Sequence, residues 1–164
     1  MLLLGGIQLK YKWKPLVLAL AIPLAVGGLS ALLTRQGMAV FRALEKPPLA
    51  PPGWLFPAVW TILFLLMGLA SYLVFAAGRG TQSGRTALWF YAVQLLFNFF
   101  WPIFFFNCGA YLFAFFWLLA LWGCILWMIL SFRKVDLPAA WMQAPYFLWV
   151  TFAGYLNFGV WMLN

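Results

Sequence analysis

Residues 86–132 read TALWFYAVQLLFNFFWPIFFFNCGAYLFAFFWLLALWGCILWMILSF, 47 positions without a charged side chain. As a single helix rising ~1.5 Å per residue this stretch is about 70 Å long, over twice the ~30 Å thickness of a bilayer core. It has to fold back. Asn107-Cys108-Gly109 is the turn-forming cluster near its middle, because Asn and Gly accept the backbone angles of a tight turn. The stretch therefore divides into two membrane spans, over 86–106 and 110–132.

The remaining charges bound three further apolar runs. They stand at Lys10, Lys12 and Lys14, then Arg35, Arg42, Glu45 and Lys46, then Arg79 and Arg85, then Arg133, Lys134 and Asp136. The run 15–34 has 20 residues, about the length of one crossing. The run 47–78 opens with P-P-L-A-P-P, which cannot be helix interior, so its span covers 54–77. The run 137–164 opens with Leu137-Pro138, suited to a helix start, and gives a fifth span over 138–163. The expected architecture is an all-α integral membrane protein: a short basic segment over 1–14, then one transmembrane domain of five helices over 15–164. A signal peptide competes for residues 1–34, but the apolar run is long and no small-x-small site closes it. An uncleaved first helix is expected.

Composition agrees. Charged residues make up 7% and apolar residues 67% of the 164, against about 25% charged in soluble domains. There is no His, Glu45 and Asp136 are the only carboxylates, and Cys108 and Cys124 the only thiols. Zinc sites, paired-carboxylate catalysis and a disulfide framework all lack their residues. No metal site, no required cofactor and no conventional catalytic motif is expected. Nor is a nucleic-acid role, since no soluble domain carries the net charge of +8. That charge suits anionic lipid instead. The N-terminus and the second and fourth loops hold seven Lys/Arg against three on the other side. In a bacterial-type inner membrane this places the N-terminus in the cytoplasm.

Polar groups inside the spans need partners, because lipid offers none. In the third span Tyr91, Gln94, Asn98, Trp101 and Phe105 recur at helical spacing on one face; in the fifth, Tyr146, Trp149, Ala153, Leu156 and Asn157 do the same. Two readings stand side by side. Gln94 and Asn98 tie helices together, or the two stripes wall a ligand cavity. Trp13, Trp89, Trp141 and Trp161 suit an interfacial belt, whereas Trp60 and Trp149 lie further from the loop charges. The first loop, RQGMAVFRALEKPPLAPPG over 35–53, is long for a helix–helix connection. Apolar and stiffened by four prolines, it reads either as a Pro-rich lid between the first two helices or as a segment lying in the headgroups.

The run Lys46-Pro47-Pro48-Leu49-Ala50-Pro51-Pro52-Gly53-Trp54-Leu55-Phe56-Pro57-Ala58-Val59-Trp60-Thr61-Ile62-Leu63-Phe64 closely resembles the loop and second helix of the TspO/MBR family, the tryptophan-rich sensory proteins and translocator proteins (peripheral benzodiazepine receptors). Met67-Gly68, Ser71-Tyr72-Leu73-Val74, Tyr91, Gln94-Leu95, Asn98, Trp101-Pro102, Phe105-Phe106, Pro145 through Trp149, Phe152-Ala153, Leu156-Asn157 and Trp161 continue the resemblance from about Pro15 to Asn164. The resemblance implies a five-helix receptor or regulator, usually a homodimer, whose first loop caps a cavity for porphyrins such as protoporphyrin IX and haem-related tetrapyrroles. Benzodiazepine-type small molecules are further implied ligands. Matched by motif, the ligand-binding positions are Ala50, Trp60, Phe64, Gln94, Asn98, Trp149, Ala153 and Leu156. The resemblance also implies two alternatives: light-dependent oxidative degradation of the bound porphyrin, with Trp60 and Trp149 as the catalytic tryptophans, or translocation of a small hydrophobe. The chain departs from the family pattern at Leu49, where Trp is common, and at Trp117, near a common acidic position. No Lys or Arg follows Tyr155, so a dedicated cholesterol site is not expected there.

Overall fold

The computed structural model describes residues 13–164. Lys10 and Lys12, and most of the expected basic N-terminal segment, lie outside the described residues. Among the described residues there are five helical spans: α1 (Trp13–Thr34), α3 (Leu55–Ala77), α4 (Gln82–Pro102), α5 (Tyr111–Arg133), and a fifth made of α6 (Leu137–Trp141) and α7 (Ala144–Leu163). A short α2 (Gly37–Ala43) lies in the first loop. The expected all-α, five-span membrane architecture holds.

Two features differ from expectation, the start of the third span and the continuity of the fifth, each for a local reason. The third span begins at Gln82, not 86. The Thr81 side chain accepts the Gly84 N–H at 3.0 Å, so a cap sets the start and Arg85 falls inside the helix. The same span continues past Pro102 as a wider turn over Ile103–Asn107, where the Cys108 N–H reaches back five residues to Ile103 O at 3.1 Å. Pro102 has no N–H to give its own helical acceptor, which loosens the ladder there. The chain then reverses at the expected Asn107-Cys108-Gly109, with Gly109 at φ 61°, a conformation that favours glycine. The fifth span is broken at Met142–Gln143 rather than continuous over 138–163. Asp136 caps α6 through Ala139 N at 2.8 Å. Pro145 sits in the first turn of α7, where its missing N–H is tolerated.

The spans pack around an apolar interior that includes Leu63, Met67, Leu95, Leu121, Ile125, Met128 and Val150. α1 lies against α3 and α4, α4 against α5, α5 against α7, and α6 against α3 and α5. At Gly68 on α3 an added Cβ would stand 2.7 Å from Ala19 O and 2.8 Å from Leu20 Cα. The backbones of α1 and α3 therefore touch there, a contact that small residues permit. Between α3 and α7 an apolar groove of about 380 Å³ stays open, with Val59 and Ile62 on one side and Leu148, Trp149 and Phe152 on the other. The outer surface is also apolar: Leu18, Leu29, Ile62, Leu96, Phe116 and Leu148 are exposed, as lipid contact requires. Trp13, Trp89, Trp141 and Trp161 are on that surface too.

The first loop is more ordered than an irregular link. Lys46 Nζ donates to Arg42 O and Leu44 O, each at 3.1 Å, and stands 5.1 Å from the centre of the Phe41 ring. It thus closes the end of α2, where a cation meets free carbonyls. Phe41 packs edge-on against Phe56, Phe105 and Phe106, seating α2 on the end of the third span.

Candidate ligand site

Phe56, Trp60 and Phe64 recur every fourth residue on α3 and share one face. Trp60 stacks on Phe64 with ring centres 5.4 Å apart and meets Tyr146 of α7 edge-on at 6.1 Å. Phe64 in turn fills the notch left by Gly27 of α1, where a Cβ would collide with its ring.

Tyr146 is also the hub of a buried hydrogen-bond network. Its Oη donates to Gln94 Oε1 at 2.8 Å and accepts from Asn98 Nδ2 at 2.9 Å. Gln94 Nε2 faces Met67 Sδ at 4.0 Å, a weak acceptor. Gln94 is 0% exposed and Asn98 5% exposed. Nearer the first loop, Trp101 Nε1 donates to Asn157 Oδ1 at 3.0 Å, and Asn157 Nδ2 donates to Tyr111 O at 2.8 Å. Polar side chains therefore run down the bundle interior at successive levels, paired across helices. The structure shows the helix-tying role of Gln94 and Asn98.

The motif-matched residues divide as follows. Trp60, Gln94 and Asn98 come together around Tyr146, with Phe64 stacked on Trp60. Trp149 is half-buried, packs on Phe56 at 5.9 Å and lines the α3/α7 groove. Ala153 and Leu156 are buried on α7 beyond it. Ala50 is half-buried in the first loop, its N–H closing a turn on Pro47 O at 3.3 Å.

The TspO/MBR family pattern matches residues 19–162 of the chain. The chain belongs to the TspO/MBR family. A tryptophan-rich protein TspO of Chlorobaculum tepidum is 37% identical over 150 residues, covering 91% of this chain and 95% of that protein. The translocator protein of Bos taurus is 34% identical over 154 residues, 93% and 91% of the two chains. A tryptophan-rich protein TspO of Archaeoglobus fulgidus is 33% identical over 150 residues, 91% and 96%.

In this TspO/MBR member the first loop is fastened to the end of α7. Glu45 N–H donates to Asn164 Oδ1 at 3.1 Å, and Asn164 Nδ2 donates back to Glu45 O at 2.9 Å. Tyr155 Oη donates to Pro48 O at 2.8 Å. Pro47 packs so closely on Gly159 that a Cβ there would stand 2.6 Å from its ring. Leu49, at the departure from the family pattern, has φ 68° and is 81% exposed. Trp117 serves packing: its Nε1 donates to Phe97 O at 2.8 Å and its ring stacks on Phe97 at 4.5 Å.

Sequence reasoning placed Tyr146 on the right stripe but did not single it out as the hub. Its spacing to Trp149 and Ala153 was the available signal. It passed over Gln143, a polar residue inside the fifth run that the structure buries completely. Arg35 and Arg42 are exposed at the loop end of the bundle, whereas Lys46 is committed to the α2 cap.

Proposed function

We propose that this membrane protein is a receptor for a porphyrin-like hydrophobe, held between α3, α4 and α7 beneath the first loop. The observation that carries the reading is the Trp60–Phe64 stack set edge-on to the Tyr146–Gln94–Asn98 network. A large flat apolar surface beside a few fixed polar groups is what a planar ligand with polar substituents needs. The α3/α7 groove supports it, because Trp149 joins that lipid-facing opening to Phe56 on the aromatic face of α3. The loop acts as the lid, held by Asn164, Tyr155 and the Pro47–Gly159 contact. Arg35 and Arg42 at the mouth are suited to ligand carboxylates. Family membership supports the receptor role, as do relatives named translocator protein and tryptophan-rich sensory protein. The protein works as a homodimer, with its N-terminus in the cytoplasm.

The test is titration of protoporphyrin IX into detergent-solubilised protein, followed by tryptophan quenching. Saturable quenching at micromolar ligand is the expected result; quenching that never saturates removes the reading. A second reading, light-dependent breakdown of bound porphyrin, is favoured by the placement of two half-buried tryptophans, Trp60 and Trp149, on the helices that flank one groove. Light-driven loss of porphyrin absorbance that persists in Trp60→Phe/Trp149→Phe removes those residues from it.

A further inference from the structure

The end of the bundle opposite the first loop carries a cluster of positive charge that the ligand reading leaves unused. The second loop crosses there from α3 to α4, and the chain between α5 and α6 crosses beside it. The two connections meet at Gly78. An added Cβ at Gly78 would stand 2.8 Å from Gly84 Cα and 2.9 Å from Val135 Cγ1. Both connections are tight. The Thr81 hydroxyl donates to Gly78 O at 2.7 Å and accepts from Gly84 N–H at 3.0 Å. In the other, Phe132 O accepts from Val135 N–H at 2.9 Å and from Asp136 N–H at 2.8 Å.

Each member of this contact has a basic neighbour. Arg79 follows Gly78, Arg85 follows Gly84, and Lys134 precedes Val135 with Arg133 behind it. Successive Cα atoms are about 3.8 Å apart, so the Cα atoms of Arg79, Arg85 and Lys134 all lie within about 10 Å of one point. All four side chains are exposed. Arg79 lies over the Phe75 ring at 6.0 Å, on the α3 side of the cluster. The side chains of Arg85, Arg133 and Lys134 make no hydrogen bond or ion pair among the described residues. Asp136, beside Val135, caps α6 through Ala139 N–H at 2.8 Å. The N-terminus of α4 opens at the same place and adds the positive end of its dipole. Cations gathered in this way attract an anion.

The surface beneath the cations decides which anion. Trp89 stands four residues from Arg85 on the same face of α4 and is 65% exposed. Trp127, 59% exposed, lies about 9 Å along α5 from Arg133. Its ring packs 6.0 Å from that of Phe90 on α4. Exposed rings one or two turns inside a charged end sit where headgroups give way to chains. A soluble anion has no use for them. A phospholipid places its phosphate among the cations and its chains along the aromatic surface.

We propose that this end of the bundle is a binding site for an anionic phospholipid. Arg85 and Lys134 hold the phosphate by charge-assisted hydrogen bonds, and the chains lie over Trp89 and the Phe90–Trp127 contact. A lipid whose headgroup carries an ammonium is disfavoured, because that group would face the same cations. The site lies at the other end of the bundle from the porphyrin reading and does not rest on it.

The experiment is native mass spectrometry of the full-length protein in detergent, titrated with phosphatidylglycerol, with phosphatidylcholine, or with inorganic phosphate alone. The wild type is expected to retain phosphatidylglycerol at concentrations where the other two leave it bare. Two variants remove equal charge, Arg85→Gln/Lys134→Gln at this end and Arg35→Gln/Arg42→Gln at the other. The first should weaken phosphatidylglycerol binding at least about tenfold and the second by less than about twofold. An equal loss in both variants means diffuse attraction to net charge. Equal retention of phosphatidylcholine means chain contact alone, and equal retention of inorganic phosphate means a site for soluble anions. Each of these results overturns the proposal. Melting of the same samples is the second readout: phosphatidylglycerol should raise the Tm of the wild type but not that of Arg85→Gln/Lys134→Gln, and an equal rise in both overturns the proposal. Should the double variant fail to fold, Arg85→Gln and Lys134→Gln are titrated singly. A loss of more than about twofold in either supports the site, and a smaller change in both overturns it.

Discussion

Tyr146→Phe separates the polar role of the hub from its packing role. The substitution keeps the ring, so the edge contact with Trp60 at 6.1 Å survives and no cavity opens. It deletes one oxygen that donates to Gln94 Oε1 at 2.8 Å and accepts from Asn98 Nδ2 at 2.9 Å. Two amides in the membrane interior lose a partner together. Interhelical hydrogen bonds in bilayers are worth about 0.6–2 kcal/mol each, so losing both costs about 1–4 kcal/mol. At about 2–4 °C per kcal/mol for a chain of this size, the Tm should fall by about 2–16 °C. The assay is melting of purified protein in detergent, followed by intrinsic tryptophan fluorescence and repeated in a Gln94→Leu background. There the same Tyr146→Phe change should cost less, because its acceptor is already gone; the difference measures the coupling. A Tm within about 1 °C of wild type, or full additivity with Gln94→Leu, would refute the idea that these contacts hold α4 to α7.

Three other outcomes are expected. Ala153→Phe, at a small buried position one turn beyond Trp149, should weaken porphyrin binding at least about tenfold, or 1.4 kcal/mol, and unchanged affinity in a folded variant would place the ligand elsewhere. Asn164→Ala with Tyr155→Phe removes three hydrogen bonds between α7 and the first loop; stopped-flow release of bound porphyrin should then accelerate several-fold, and an unchanged off-rate would deny the loop a lid role. Gly68→Leu forces side-chain atoms into the Ala19–Leu20 backbone and should lower the Tm by more than Tyr146→Phe does, whereas a Tm no lower than that variant's would mean α1 and α3 can separate there freely.

Span number and the turn at Asn107-Cys108-Gly109 could be read from the chain alone, whereas the contact of Gly68 with the Ala19–Leu20 backbone could not. Bilayer thickness is a fixed ruler, charges are confined to its edges, and both act on sequence length directly. The start of α4 at Thr81 and the break before Pro145 were legible in principle, since capping and a missing N–H are local chemistry. Charge spacing masked both. Which side chains meet inside was a different matter. In water an amphipathic helix announces its buried face, but here the lipid side is as apolar as the core: Ile62 and Leu148 face outward while Leu63 and Val150 face inward. Periodicity could group Tyr91, Gln94 and Asn98 on one stripe, yet it could not say that a tyrosine from the fifth span completes them. Nor could it say that Lys46 would turn back onto α2, or that Gln143 would be buried without a protein partner. Those facts depend on how helices distant in sequence are rotated and set against one another, and in a uniformly apolar medium that is settled by close packing and cross-helix hydrogen bonds.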